Sequence, residues 1–180
     1  MTGRLQNRII SAMKGSIPMR IDHPLPPFVR TDSRLLILGS FPSVKTRETG
    51  FFYGHPNNRF WQVLSLLLNW DNPLTREQKT AMLAARHIAL WDVIKSCEIK
   101  GSADASIRNV VPNPIADLVR DTPIRAVVLN GGTAAKLYET HVLPKPPLPY
   151  MRLPSTSPAN AAYSVGALCE AWQAILPFLQ

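Results

Sequence analysis

The chain has 180 residues, 46% hydrophobic and 18% charged, which is the balance of one folded domain and not of a disordered or membrane-embedded chain. Lys and Arg number 20 against 12 Asp and Glu, and the excess is uneven: residues 1–60 hold 9 basic and 3 acidic side chains, residues 61–180 hold 11 and 9. A basic first third suits a polyanion such as nucleic acid, and equally a basic face kept for solubility, since no Lys/Arg run occurs.

Cys97 and Cys169 are the only cysteines and have no CxxC spacing, so a cysteine-ligated iron–sulfur cluster or structural zinc site is not expected. His23, His55, His87 and His141 show no metal-ligand spacing either, and no metal or cofactor is predicted. The longest apolar run is far short of a membrane span, and MTGRLQNRIISAMKG lacks the apolar core of a secretory signal. A cytoplasmic, monomeric protein without membrane contact is the expectation.

Residues 4–14 read as a short helix with Leu5, Ile9, Ile10 and Met13 on one face, stopped by Gly15. Residues 16–34, with Pro18, Pro24, Pro26 and Pro27, read as an extended lead-in. Residues 1–34 are therefore expected to stand apart from a domain spanning 35–180. Leu35–Leu38 is a buried strand by its apolar run, closed by Gly39. Asn58 to Leu68 carries Phe60, Trp61, Leu64, Leu67 and Leu68 at helical spacing, with Asn57 or Asn58 as N-cap. Thr75 with Gln78 forms a capping box for a helix to about Ala85.

His87–Val93 is the second strand, followed by the polar loop KSCEIKGSADASIRN. Pro114–Arg120 is a short helix with proline at its start, Ala126–Leu129 the third strand, and Thr133–Thr140 a helix after Asn130-Gly131-Gly132. Tyr150–Leu153 is the fourth strand, and Ala161 to about Leu179 the last helix. Four apolar strands alternating with helices predict an α/β fold: three layers, α/β/α, around a short, mainly four-stranded parallel sheet. Ligands in such folds lie beyond the C-terminal strand ends. There the chain places GSFPS, KSCEIKGS, NGG and PSTSPAN.

Those loops exclude several chemistries. No GxSxG elbow or GKS/T phosphate loop occurs, and rim carboxylates are scarce: Glu48, Asp92 at an edge, Glu98 and Asp104. What remains is amide, hydroxyl, main-chain N–H and aromatic chemistry, concentrated in GSFPSVKTRETGFFYGHPNNRFW at 39–61. Such groups read a planar heterocycle, the aromatic on its face and the amides along its edge, as for a base extruded from nucleic acid.

GSFPS at 39–43, FFYGHPNNRFW at 51–61, SCEIKGSADASI at 96–107 and LPSTSPAN at 153–160 resemble, in order, the motifs of the uracil-DNA glycosylase superfamily. The similarity is greatest to its hypoxanthine-DNA (deoxyinosine) glycosylase branch and covers about Leu35 to the C-terminus. Mismatch-specific relatives carry a catalytic asparagine inside the first motif. Phe41 occupies that position here and cannot activate water.

The resemblance moves the catalytic amide to Asn58, which also suits a helix cap. It implies Tyr53 as the aromatic that stacks on the flipped base, and Ser40 and Phe41 as main-chain donors to it. Ser155 falls where relatives place a residue that stabilises the departing base. Ser43 and Ser157 are implied phosphate contacts, and the 158–160 tip, with Asn160, is implied to press into the duplex. The implied reaction is monofunctional hydrolysis of the N-glycosidic bond of a deaminated base in DNA, hypoxanthine or uracil. A catalytically silent base-flipping module and a small-molecule nucleoside hydrolase are the two other readings these loops allow.

Overall fold

The computed structural model describes residues 19–180, and the helix expected at 4–14 lies outside them. The strands among the described residues are β1 (Met19–Asp22), β2 (Leu35–Gly39), β3 (Ile88–Asp92), β4 (Ile94–Ile99), β5 (Arg108–Pro112), β6 (Ala126–Asn130) and β7 (Tyr150–Leu153). The helices are α1 (Val44–Thr49), α2 (Phe60–Leu68), α3 (Arg76–Ala85), α4 (Ile115–Arg120), α5 (Gly132–His141) and α6 (Val165–Trp172).

Strands β3-β2-β6-β7, in that spatial order, form the expected parallel sheet, flanked by helices. β2 is its buried centre, with Leu35, Leu36, Ile37 and Leu38 fully inaccessible. Each such side chain contributes about 1.5–3 kcal/mol of burial, which is why so short a run can anchor the sheet. α2 and α6 pack together, Phe60 meeting Trp172 edge-on at 6.0 Å.

A second, antiparallel sheet, β1-β4-β5, corrects the reading of residues 95–109 as a loop. Only Val93 separates β3 from β4, and its N–H, with that of Ile94, bonds the Gly39 and Ser40 carbonyls. β4 buries Ile94, Cys97 and Ile99 with Phe41 in a small core of its own. Its apolar content is too sparse to show as a run. β1 pairs with β4 from Met19↔Ile99 to Asp22↔Ser96, and Phe28 bridges Leu90, so residues 19–34 are stitched onto the α/β unit.

Several helix ends also differ from expectation. A one-and-a-half-turn helix, α1, interrupts the 39–61 stretch, capped by Ser43, whose Oγ accepts the Thr46 N–H at 3.1 Å. The last helix begins only at Val165, where Ser164 caps it, and passes into a 3-10 turn containing Pro177. The capping box at Thr75 and Gln78 forms as expected.

Candidate active site

The C-terminal ends of all four parallel strands open on one cavity of about 550 Å³. Gly39 and Ser40 come from β2, Asp92 from β3, Asn130 and Gly131 from β6, and Ser155 and Thr156 from the segment after β7. Two glycines are required by close approach. A methyl group at Gly39 would overlap the Asp92 carboxylate, and one at Gly131 would lie 2.8 Å from Ser155 Cβ. Gly131 also has φ +98°, a left-handed conformation that favours glycine.

The 51–61 block owes its shape to aromatic packing. Phe51 stacks on Trp61 at 5.9 Å, and Trp61 Nε1 donates to the Phe52 carbonyl at 3.2 Å. Four of the five aromatics are thereby committed to the core, Phe51, Phe52, Phe60 and Trp61. Tyr53 is the fifth. It sits at φ +53°, its ring lies flat on Phe60 at 3.9 Å, and it lines the cavity. Its hydroxyl is buried with no partner in hydrogen-bonding geometry among the described residues. Burial, then the Asp92 charge, hold that phenol well above its usual range, the nearby Asn130 side chain only partly opposing them.

Asn58 stands one residue before the position that caps α2. The N-cap proper is Arg59, which makes no side-chain capping bond; Asn58 Oδ1 instead accepts the Phe60 N–H at 3.0 Å. The same oxygen accepts the Thr156 hydroxyl at 2.9 Å. Both lone-pair directions of the carbonyl are thus occupied, and Nδ2 has no partner among the described residues. Ser40 and Phe41 also line the cavity, and no acceptor among the described residues meets their N–H groups. The Phe41 ring turns away into the small second core, edge-on to His23 at 5.8 Å.

The remaining predicted side chains serve the protein's own turns. Ser43 Oγ is the α1 cap. Ser155 Oγ accepts the Ser157 N–H at 3.2 Å, Ser157 Oγ accepts the Ala159 N–H at 3.2 Å, and Asn160 Nδ2 donates to the Ser155 carbonyl at 2.9 Å. Ser155 and Ser157 nonetheless line the cavity, and Pro158 and Ala159 form an exposed tip.

Three features escaped the sequence reading. Asp92, read there as an edge residue, is only 5% exposed and lines the cavity floor. His23 Nδ1 accepts the Leu25 N–H at 3.1 Å, so the proton sits on Nε2, which donates to Asp92 Oδ2 at 2.7 Å. Asp92 Oδ1 faces the Gly39 side. Arg59, given no role by the sequence reading, is a strut: its guanidinium donates to the Ser157 and Asn160 carbonyls, each at 2.8 Å, to that of Tyr163, and at 3.4 Å to that of Thr156. Asn130 and Thr156 join it as buried polar partners of the site. None of the three had a local signal, because each partner lies on a distant segment.

No group of three or more His, Cys, Asp or Glu among the described residues is placed to hold a metal ion, and no helix there is long and apolar enough to cross a membrane.

A four-stranded parallel sheet with a cavity at its strand ends, lined by polar groups and by Tyr53, is the α/β architecture in which ligands lie beyond the C-terminal strand ends. Residues 26–180 match the Uracil DNA glycosylase superfamily, and the chain belongs to it. It is 30% identical over 165 residues to a hypoxanthine DNA glycosylase of Methanosarcina acetivorans, covering 86% of this chain and 98% of that one. A hypoxanthine DNA glycosylase of Methanosarcina barkeri is 30% identical over 115 residues, 63% of this chain and 73% of that one. The solution NMR structure of a candidate uracil DNA glycosylase from Methanosarcina acetivorans superposes with a TM-score of 0.74 at 30% identity. It covers 87% of this chain and 96% of that one.

Proposed function

We propose that this protein is a monofunctional DNA glycosylase that hydrolyses the N-glycosidic bond of a deaminated base, hypoxanthine before uracil. The observation that carries this is the pairing of groups around the cavity. Main-chain N–H donors stand free at Ser40 and Phe41, and an acceptor-only carboxylate stands at Asp92. Deamination turns the amidine edge of adenine into a carbonyl beside a ring N–H. The free N–H groups suit that carbonyl, and Asp92 Oδ1 suits the ring N–H. Adenine would bring a lone pair against the carboxylate and leave the donors unmatched, a costly arrangement in a desolvated pocket.

The base leaves the stack at a cost of about a few kcal/mol, least when mispaired, and lies on the open face of Tyr53. Because Tyr53 is already seated on Phe60, little ordering is required on binding. As the bond from C1′ to the base nitrogen breaks, its electron pair passes to the base and C1′ gains oxocarbenium character. The Asn58 Nδ2 group reaches the cavity as a donor for the departing base, and Ser155 Oγ–H is a second donor there. Water adds at C1′ and gives up a proton, the departing base takes one up, and the products are an abasic site and the free base. Ser43, Ser157 and Asn160 belong to the DNA-facing rim through their main chain, since their side chains are engaged, and the exposed Pro158–Ala159 tip presses into the duplex. A cytoplasmic setting, action as a monomer and independence from metal or cofactor are part of the same reading, and Cys97 and Cys169 are both free thiols.

The test is incubation with duplexes carrying one inosine, uracil or xanthine, followed by alkali. Strand breakage at inosine, lost by about 100-fold or more in Asn58→Ala, is expected. No breakage of any duplex would sink the glycosylase reading. Binding without release would mean a silent module, and hydrolysis of free nucleosides alone a metabolic hydrolase.

A further inference from the structure

Three side chains from three separated segments form one directed chain of hydrogen bonds. Asn130 closes β6 and is 9% exposed, Thr156 lies in the segment after β7 and is fully buried, and Asn58 precedes α2. The Thr156 N–H donates to Asn130 Oδ1 at 3.0 Å. That main-chain donor decides which end of the Asn130 amide is oxygen, so Asn130 Nδ2 is the donor to Thr156 Oγ1, also at 3.0 Å. With a hydrogen already pointing at it, Thr156 Oγ1 turns its own hydrogen to Asn58 Oδ1 at 2.9 Å. The Phe60 N–H meets the same oxygen at 3.0 Å. Amide orientation is often ambiguous, but two obligate main-chain donors remove the ambiguity here at both ends of the chain.

From this geometry we infer that Thr156 is the positioning residue of Asn58. It locks the amide with its carbonyl toward the protein and its NH2 toward the cavity. This rests on the reading of Asn58 as catalytic and divides its possible roles. A locked carbonyl with both lone-pair directions filled does not serve as the acceptor that aligns a water for attack on C1′. The exposed NH2 serves as a donor to the base as negative charge builds on it. Such a donor acts with little reorganisation because Thr156 and Phe60 have already oriented it. Without the Thr156 hydroxyl, Asn58 Oδ1 keeps one bond out of two and the amide rotates about its side-chain torsions. Asn130 Nδ2 then loses its acceptor as well.

The experiment measures single-turnover release of hypoxanthine from an inosine duplex, and duplex affinity separately, for four variants of the full chain. Thr156→Val keeps the shape and deletes the hydroxyl; the rate is expected to fall about tenfold or more while affinity stays within about twofold. Thr156→Ser restores the hydroxyl and is expected to recover the rate to within about threefold. Asn58→Asp keeps both acceptor bonds but offers no donor at neutral pH, and is expected to lose about 100-fold, as Asn58→Ala does. A Thr156→Val enzyme with the native rate, beside an inactive Asn58→Ala, overturns the positioning role and leaves Asn58 catalytic. An active Asn58→Asp overturns the donor role even if Thr156→Val does not fold. An active Asn58→Ala overturns the catalytic assignment itself and the inference with it.

Discussion

The two segments that meet over the cavity, 51–60 and 154–160, are held by different physics. The first is a hydrophobic device: Phe51, Phe52 and Phe60 are buried beside Trp61, and Tyr53 rides on Phe60. The second has little core of its own. Its shape comes from short Ser and Asn turns and from the Arg59 guanidinium reaching across from the first segment to carbonyls of Thr156, Ser157, Asn160 and Tyr163. The aromatic block is thus preformed by packing, while the 154–160 loop is held by polar bonds, several of them from the single Arg59 guanidinium. Binding surfaces on a rigid base with a separately tethered loop can be tuned one part at a time.

Breaking the first segment should have the larger effect on stability. Phe60→Ala removes the support of both Tyr53 and Trp172 and is expected to cost about 3–5 kcal/mol, read as a lowered denaturant midpoint. Breaking the second should spare the core. Arg59→Ala is expected to cost about 1.5–3 kcal/mol in stability. It should also weaken duplex affinity and increase amide exchange across 155–163, with Tyr53 still on Phe60. Equal protection of that loop in wild type and variant would show that the strut is redundant.

The smallest effect is expected at the Tyr53 hydroxyl. Tyr53→Phe deletes a buried group without a partner among the described residues and should change stability at neutral pH by less than about 1 kcal/mol. Alkali sharpens the point. A phenol whose folded pKa lies above its unfolded value contributes stability that is complete below the unfolded pKa, about 10, and lost as pH rises toward the folded value. Native protein should therefore lose stability above about pH 10, and Tyr53→Phe should lose less. The residual loss belongs in part to Tyr138, whose phenol is pushed up to about 12, first by burial.

Much of the frame was legible in the sequence. Leu35–Leu38 and Ala126–Leu129 are continuous apolar runs because parallel strands are covered on both faces, and they appear where expected. Tyr53 and Asn58 were both assigned to the cavity, and both line it. Strands β1, β4 and β5 were not legible. MRID and IKSCEI cover a smaller core and carry polar residues through the ladder, so neither a run nor a clean alternation marks them.

What the sequence determined by itself was everything that depends on neighbours along the chain: the buried central strands, the helix faces, the capping box at Thr75 and the glycine–proline loops at the strand ends. Only the tertiary structure decided how the polar side chains of those loops are used. Asn58 meets Thr156 across 98 positions, His23 meets Asp92 across 69, and Asn130 meets Thr156 across 26. Periodicity is a property of local backbone geometry and reports which face is buried. A hydrogen bond between two buried polar groups depends on where the folded backbone brings them, and adjacent sequence carries no record of it.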